Sequence, residues 1–270
     1  MIEVTIKTDQ WQEVLIALMS EMGYEGFEQE GELLRAYAPE KRFDLAALKE
    51  LLAQYQLEHE ERRLEERNWN EEWEKNFQPV TIGTFCAVRA DFHEPIAGVE
   101  HELLITPKMS FGTGHHATTH MMIEAMQHLE LRGKRVLDFG TGTEVLAILA
   151  EKLGAAEVVG IDNDDWSIAN AQENIEVNGC NLVKLRKIDS VSALRNRFDV
   201  LLANINKHVI IAEMAAMEQH LGKGGVILLS GLLENDYEDI ENEAVKSGLS
   251  VSGRGMKGAW ICVKLQKATA

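Results

Sequence analysis

The sequence predicts an α/β chain: a doubly wound, Rossmann-like parallel sheet preceded by a small ferredoxin-like α+β domain. Three observations carry this. Short apolar runs alternate with helical stretches from about residue 107 onward. The first sixty-odd residues follow the order strand, helix, hairpin, helix, strand. A glycine turn, Gly140-Thr141-Gly142, joins a strand to a helix.

The N-terminal elements are readable one by one. Ile2, Val4 and Ile6 alternate with polar residues, as a half-buried strand requires. Trp11, Val14, Leu15, Leu18 and Met19 recur at helical spacing until Gly23. Glu25–Glu28 and Leu33–Tyr37 flank a Glu30-Gly31-Glu32 turn and read as a hairpin. Phe43, Leu45, Leu48, Leu51 and Leu52 supply a second amphipathic helix, and Gln56–Leu64 closes the unit as a strand. The expected domains are 1–64, a charged helical linker over 65–79 with Trp69 and Trp73 on one face, and 80–270.

In the larger domain, Val80–Asp91 and Leu103–Thr106 read as leading strands. Arg135–Asp138, Val158–Asp162, Val183–Arg186, Val200–Ala203 and Val226–Ser230 read as strands of the parallel sheet. Ser250–Gly253 and Ala259–Leu265 have no helix between them, so a closing antiparallel pair is expected. Gly222–Gly225 reads as a turn ahead of a strand.

Composition narrows the function. The chain has 270 residues, 45% of them hydrophobic, so it can build real cores. No apolar stretch approaches the ~20 residues that span a bilayer, and the first residues lack the pattern of a signal peptide. Three widely spaced cysteines write neither a disulfide framework nor a zinc ribbon. A cytoplasmic setting and a monomer are expected. The net charge of −17 disfavours direct binding to nucleic acid or an anionic membrane. Residues 1–78 carry −10 of that charge, so a basic protein is the natural partner of the N-terminal part.

The chemistry concentrates at Asp138-Phe139-Gly140-Thr141-Gly142-Thr143. Gly140 and Gly142 permit a tight turn and close approach to a ligand. Twenty-two residues past Gly140, the next strand ends in Asp162, placed to accept hydrogen bonds from both ribose hydroxyls of an adenosine. A dinucleotide fingerprint would want a small residue where Val145 stands. Asp138, ahead of the turn, suits an α-amino group better than a pyrophosphate. Together these point to S-adenosylmethionine, with Asp189 after the third strand placed to meet the adenine amino group. His116, His120 and Glu124 share a helical spacing, but Ala117 stands where a zincin needs Glu, and no metal is expected.

Lys108-Met109-Ser110-Phe111-Gly112-Thr113-Gly114-His115-His116-Ala117-Thr118-Thr119, the glycine turn and Ala203-Asn204-Ile205 closely resemble the PrmA-type ribosomal protein methyltransferases. The resemblance spans the chain. It implies an S-adenosylmethionine-dependent enzyme that methylates, up to trimethylation, lysine and N-terminal amino groups of protein eleven of the large ribosomal subunit. It also implies that residues 1–64 recognise the substrate and that Thr119, Gly140, Asp162 and Asn204 contact the cofactor. Asn204 is then the group that orients the amine, while Thr119 and Phe111 close the pocket, the Phe111 ring accommodating methylated ammonium. An amine methyltransferase with another substrate stays open as an alternative.

One residue departs from the family pattern: Glu144 occupies the place of a third glycine. It is expected either to crowd the cofactor or strain the backbone, or to point to solvent at the first turn of a helix. Weakened cofactor binding follows from the first reading, and in its extreme form the chain is a cofactor-impaired homologue that only docks the ribosomal protein.

Overall fold

The computed structural model describes residues 1–63, 78–106 and 112–268, and the chain divides into two compact units, Met1–Phe77 and Gln78–Ala270. The connector expected over 65–79, with Trp69 and Trp73, lies almost wholly outside the described residues, as does Phe111.

The N-terminal unit runs β1 (Ile2–Lys7), α1 (Gln12–Glu21), β2 (Gly26–Glu30), β3 (Leu33–Ala38), α2 (Leu45–Gln54) and β4 (His59–Arg63). Its antiparallel sheet has the order β2-β3-β1-β4, the split βαβ arrangement read from the sequence. Alternation does the work here. Val4 and Ile6 are fully buried with Leu15, Met19, Leu34, Leu48 and Leu52, while Glu28, Glu30, Glu60 and Glu61 face solvent. The Asp44 carboxylate caps α2, accepting from the Ala46 and Ala47 N–H groups.

The second unit opens with a three-stranded sheet, β5 (Val80–Ile82), β6 (Cys86–Arg89) and β7 (His101–Leu104). The stretch Val80–Asp91 is thus a hairpin, because Gly83-Thr84 turns the chain between two short strands. There follow α3 (Ala117–Met126), β8 (Arg135–Phe139), α4 (Val145–Lys152), β9 (Glu157–Asp162), α5 (Asp165–Val177), β10 (Val183–Lys187), β11 (Phe198–Asn204) and α6 (Lys207–His220). The chain ends with β12 (Leu221–Leu233), α7 (Tyr237–Lys246), β13 (Leu249–Lys257) and β14 (Trp260–Lys267).

These strands form one sheet, β10-β9-β8-β11-β12-β14-β13. β8 through β12 pair in parallel, and β14 runs antiparallel to both β12 and β13. Gly222–Gly225, expected as a turn, lies inside β12, which shifts register against β11 between Phe198 and Val200.

Period-two geometry explains why the central strands read as continuous apolar runs. Val136, Val158, Val200, Leu202 and Leu228 enter the core shared with α3 and α4. Their neighbours Leu137, Val159, Leu201, Ala203 and Ile227 enter the opposite core with α6 and α7. The consequence for function is positional. With helices on both faces, the open crevice lies at the carboxyl ends of the strands, where the order reverses from β8 to β11.

A candidate cofactor and acceptor site at the strand ends

A cavity of about 520 Å³ opens at that edge, within the size range of small-molecule sites. Thr119, Gly140, Gly142, Asp162, Asp189 and Asn204 all line it, residues separated by up to 85 positions in the chain. Gly140 sits at φ +73°, and a Cβ there would come within 2.2 Å of Ile205 Cγ2. Only glycine serves both demands.

Asp162 ends β9. Its Oδ2 accepts from the Gly142 N–H at 3.0 Å and its Oδ1 accepts from the Asp164 N–H at 3.0 Å. The carboxylate is therefore held at the cavity wall by backbone donors, with lone pairs left for hydroxyls. Asp189 follows β10, and the preceding Ile188 N–H donates to the Asp162 carbonyl at 3.0 Å.

Asn204 ends β11, opposite Ser230 of β12. Its Nδ2 donates to Thr119 Oγ1 at 3.1 Å, and its Oδ1 is buried without a hydrogen-bond partner among the described residues. Thr119 is held in turn by α3, whose start is capped by His116 Nδ1 accepting from the Thr118 N–H at 3.3 Å. Two residues on, Asn206 caps α6 by accepting from Val209 N–H at 3.2 Å.

Asp138 stands apart from this group. It is 1% exposed, does not line the cavity, and its Oδ2 accepts from the Thr141 hydroxyl at 3.0 Å behind the turn. Burial pushes its pKa up to about 7. Direct contact with an α-amino group, expected from the sequence, is therefore not the geometry seen here: Thr141 stands between Asp138 and the cavity.

Glu144 does not reach solvent either. It takes the left-handed conformation at φ +69°, as the position of a missing glycine demands, and is fully buried. Its carboxyl turns away from the cavity, onto the Thr141 hydroxyl and the bare face of Gly160 in β9. The solvent-facing alternative fails because the helix start is covered. Crowding of the cavity fails because the side chain leaves through the sheet side.

The site also contains residues that sequence reasoning passed over. Trp260, at the start of β14, lines the cavity and meets the His116 ring edge-on at 4.7 Å between centroids. A lone aromatic in a terminal hairpin carries no local signal. Asn170 and Asn174 on α5 and Asn178 at its C-cap repeat every fourth residue and serve an unpaired strand edge. Asn178 accepts from the Leu104 N–H at 3.0 Å and donates to its carbonyl at 2.6 Å. Asn174 Oδ1 accepts from the Thr106 N–H at 2.8 Å, and its Nδ2 donates to the Thr143 carbonyl at 2.9 Å. Their four-residue spacing was a legible signal. From the other side, Thr143 Oγ1 donates to the Gly112 carbonyl at 2.8 Å. Gly112, where the described part of the Phe-Gly-Thr-Gly segment begins, is thereby tied to the glycine turn.

A sequence model described as "Ribosomal protein L11 methyltransferase (PrmA)" matches residues 3–268. The chain belongs to that family. A ribosomal protein L11 methyltransferase of Porphyromonas gingivalis is 40% identical over 270 residues, 97% of this chain and 92% of that one. Its counterpart in Phocaeicola vulgatus is 38% identical over 97% of this chain and 98% of its own. Among solved structures, a ribosomal protein L11 methylase from Lactobacillus delbrueckii subsp. bulgaricus superposes with a TM-score of 0.67 at 24% identity. That match covers 71% of this chain and all of the other. A magnesium protoporphyrin IX methyltransferase from Synechocystis, solved with S-adenosylmethionine, matches at a TM-score of 0.50 and 18% identity over 60% of this chain and 86% of that one. Family and fold agree: this is the sheet of S-adenosylmethionine-dependent methyltransferases in a chain of the PrmA family.

Proposed function

We propose that the protein transfers methyl groups from S-adenosylmethionine to lysine and N-terminal amino groups of ribosomal protein L11, up to three per amine. The observation that carries the reading is that Asn204 lines the cavity with its Oδ1 buried and unpartnered among the described residues, its Nδ2 being bonded to Thr119. The residues present fit the cofactor. Asp162 is a fixed carboxylate suited to two ribose hydroxyls, Gly140 and Gly142 leave the turn without side chains, and Asp189 suits an exocyclic amine.

When bound, S-adenosylmethionine supplies an electrophilic methyl on a sulfonium, and its leaving group is a neutral thioether. The protein's own task is placement. Asn204 Oδ1 accepts an N–H of the incoming amine and so aims its lone pair. The amine must arrive neutral, although a free lysine has a pKa of ~10.4. Phe139, Val145, Leu146, Ile188 and Ile205 wall the cavity with apolar surface, which disfavours the ammonium form. Trp260 and His116 offer ring surface to a methylated cation.

Recruitment falls to the N-terminal unit, whose acidic surface complements a basic protein. No helix among the described residues is long and apolar enough to cross a membrane. Its cysteines, Cys86, Cys180 and Cys262, are free. A cytoplasmic monomer acting without nucleic acid fits these features. Mass spectrometry of L11 incubated with the protein and methyl-labelled cofactor tests the reading: methyl increments on amines are expected, and an unchanged L11 mass refutes it.

A further inference from the structure

Glu144 and Asp138 meet at one hydroxyl. Thr141 Oγ1 lies 3.0 Å from Asp138 Oδ2 and within hydrogen-bond reach of Glu144 Oε2, all three groups being buried. A hydroxyl has one proton and donates once. If Thr141 donates to Asp138, the contact with Glu144 is a hydrogen bond only when Glu144 brings a proton of its own. Two ionised carboxylates there would compete for that one hydroxyl proton, with only the Ala147 N–H left to serve Asp138, and would repel each other.

The surroundings give an ionised Glu144 no relief. The charged groups bearing on it are Asp138 from β8 and Asp162 from β9, both acidic, and beyond α5 its charge is felt by the Cys180 thiol. Its Oε1 is buried without a partner among the described residues. A Cβ on Gly160 would come within 2.1 Å of that oxygen, so the carboxyl fills the space that this glycine leaves.

We infer that Glu144 is a positioning residue that works as a neutral acid, locking the cofactor turn through Thr141. The chain of contacts reaches the cavity in short steps. The Glu144 N–H donates to the Thr141 carbonyl at 2.8 Å, Thr141 lines the cavity, and the next residue, Gly142, holds Asp162. With its proton, Glu144 donates to Thr141 Oγ1, Thr141 donates to Asp138, which is ionised above about pH 7, and the left-handed turn is closed. Loss of that proton puts a second anion against Asp138, expels the side chain from the Gly160 face, and opens the turn that orients Asp162. Burial of Glu144 and the Asp138 charge raise its pKa well above the ordinary carboxylate range, in keeping with this assignment.

The inference rests on the cofactor reading for its effect on binding, though not for the shared proton, and the test separates the two. The wild-type protein and Glu144→Gln are compared from about pH 6 to about pH 8.5, by thermal melting without ligand and by calorimetry with S-adenosylhomocysteine. That probe is a neutral thioether with a zwitterionic tail, so charge attraction to the acid pair is minimised. Glutamine reproduces the neutral partner permanently. Wild-type melting temperature and affinity are expected to fall as pH rises, affinity by up to about tenfold per pH unit beyond the ionisation, while Gln loses only what the ionisation of Asp138 takes up to about pH 7 and stays level above it.

A flat wild-type profile, or a Gln profile that falls in step with it, overturns the inference. Binding to neither protein at any pH, with the melting difference intact, upholds the proton but removes the cofactor reading and the positioning role. Glu144→Gly supplies a second variant that relieves the left-handed backbone. It is expected to bind without the alkaline loss, and an alkaline loss in Gly equal to wild type also overturns the inference.

Discussion

The side-chain amide of Asn204 donates to the hydroxyl of Thr119 at 3.1 Å, joining the end of β11 to the first turn of α3. Oδ1 is then the end of the amide without a partner among the described residues. The proposed function gives that atom to the incoming amine.

Asn204→Ala is therefore expected to lower the methylation rate by about two orders of magnitude, as loss of a group that aligns reactants does. Thr119→Val should cost about tenfold, equivalent to one hydrogen bond. Single-turnover kinetics with saturating cofactor separates the effect from binding; rates within twofold of wild type for Asn204→Ala would remove Asn204 from the mechanism.

Asp162 should act on affinity instead. Hydrogen bonds to a charged acceptor are worth ~1.5–3 kcal/mol each, so Asp162→Ala is expected to weaken cofactor binding by at least about 100-fold. Asp162→Asn, which keeps an acceptor oxygen, should fall between. Calorimetry with S-adenosylhomocysteine reads both.

Asn174 is a structural clamp with a reach into the site. Replacing it by Leu strands the Thr106 N–H and the Thr143 carbonyl, at ~1–3 kcal/mol for each buried group left unpaired. A melting temperature several degrees lower is expected, with cofactor affinity reduced because Thr143 adjoins the turn. An unchanged melting temperature would show that water replaces the amide at no cost.

Arg89 and Glu102 form a two-point ion pair, Nη2 donating to Oε2 at 3.0 Å and Nε lying 2.9 Å from Oε1. The Arg89 hydrogen bond and charge, with the Ile96 N–H donor, hold the Glu102 carboxyl below its usual range, against partial desolvation. A depressed pKa stabilises the fold above the unfolded-state value and is lost as pH falls through the folded one. Glu102→Gln should thus cost ~1–3 kcal/mol at neutral pH, and urea titrations should show the difference shrinking toward acid. A constant difference would mean the pair does not titrate with folding.

If the acidic N-terminal unit recruits a basic protein, the KM for L11 should rise with ionic strength while kcat stays level. Initial rates across a salt series measure this, and a salt-independent KM would assign recruitment to apolar contacts.

Much of the architecture was legible because it rests on local periodicity. Val4 and Ile6, the runs at Val136 and Val200, and the glycine turn each announce their element through spacing alone. The site was legible in part, since Asp162 and Asn204 occupy strand ends and strand ends converge. Trp260 was not, because its value comes from meeting His116 across 144 positions. Val80–Asp91 read as one strand because the Gly83-Thr84 turn interrupts it without changing its apolar character.

By itself the sequence determined the two folding units, the order of their elements and the strand edge at which the cavity opens, since backbone sterics and burial act through neighbours in the chain. Where each carboxyl points was decided only by tertiary structure. Asp138 and Asp162 are both acids at strand ends beside the same turn, yet one faces the cavity and the other is sealed behind Thr141 with Glu144. Solvation sets the chemistry of a carboxyl, and solvation is a property of what surrounds it in space.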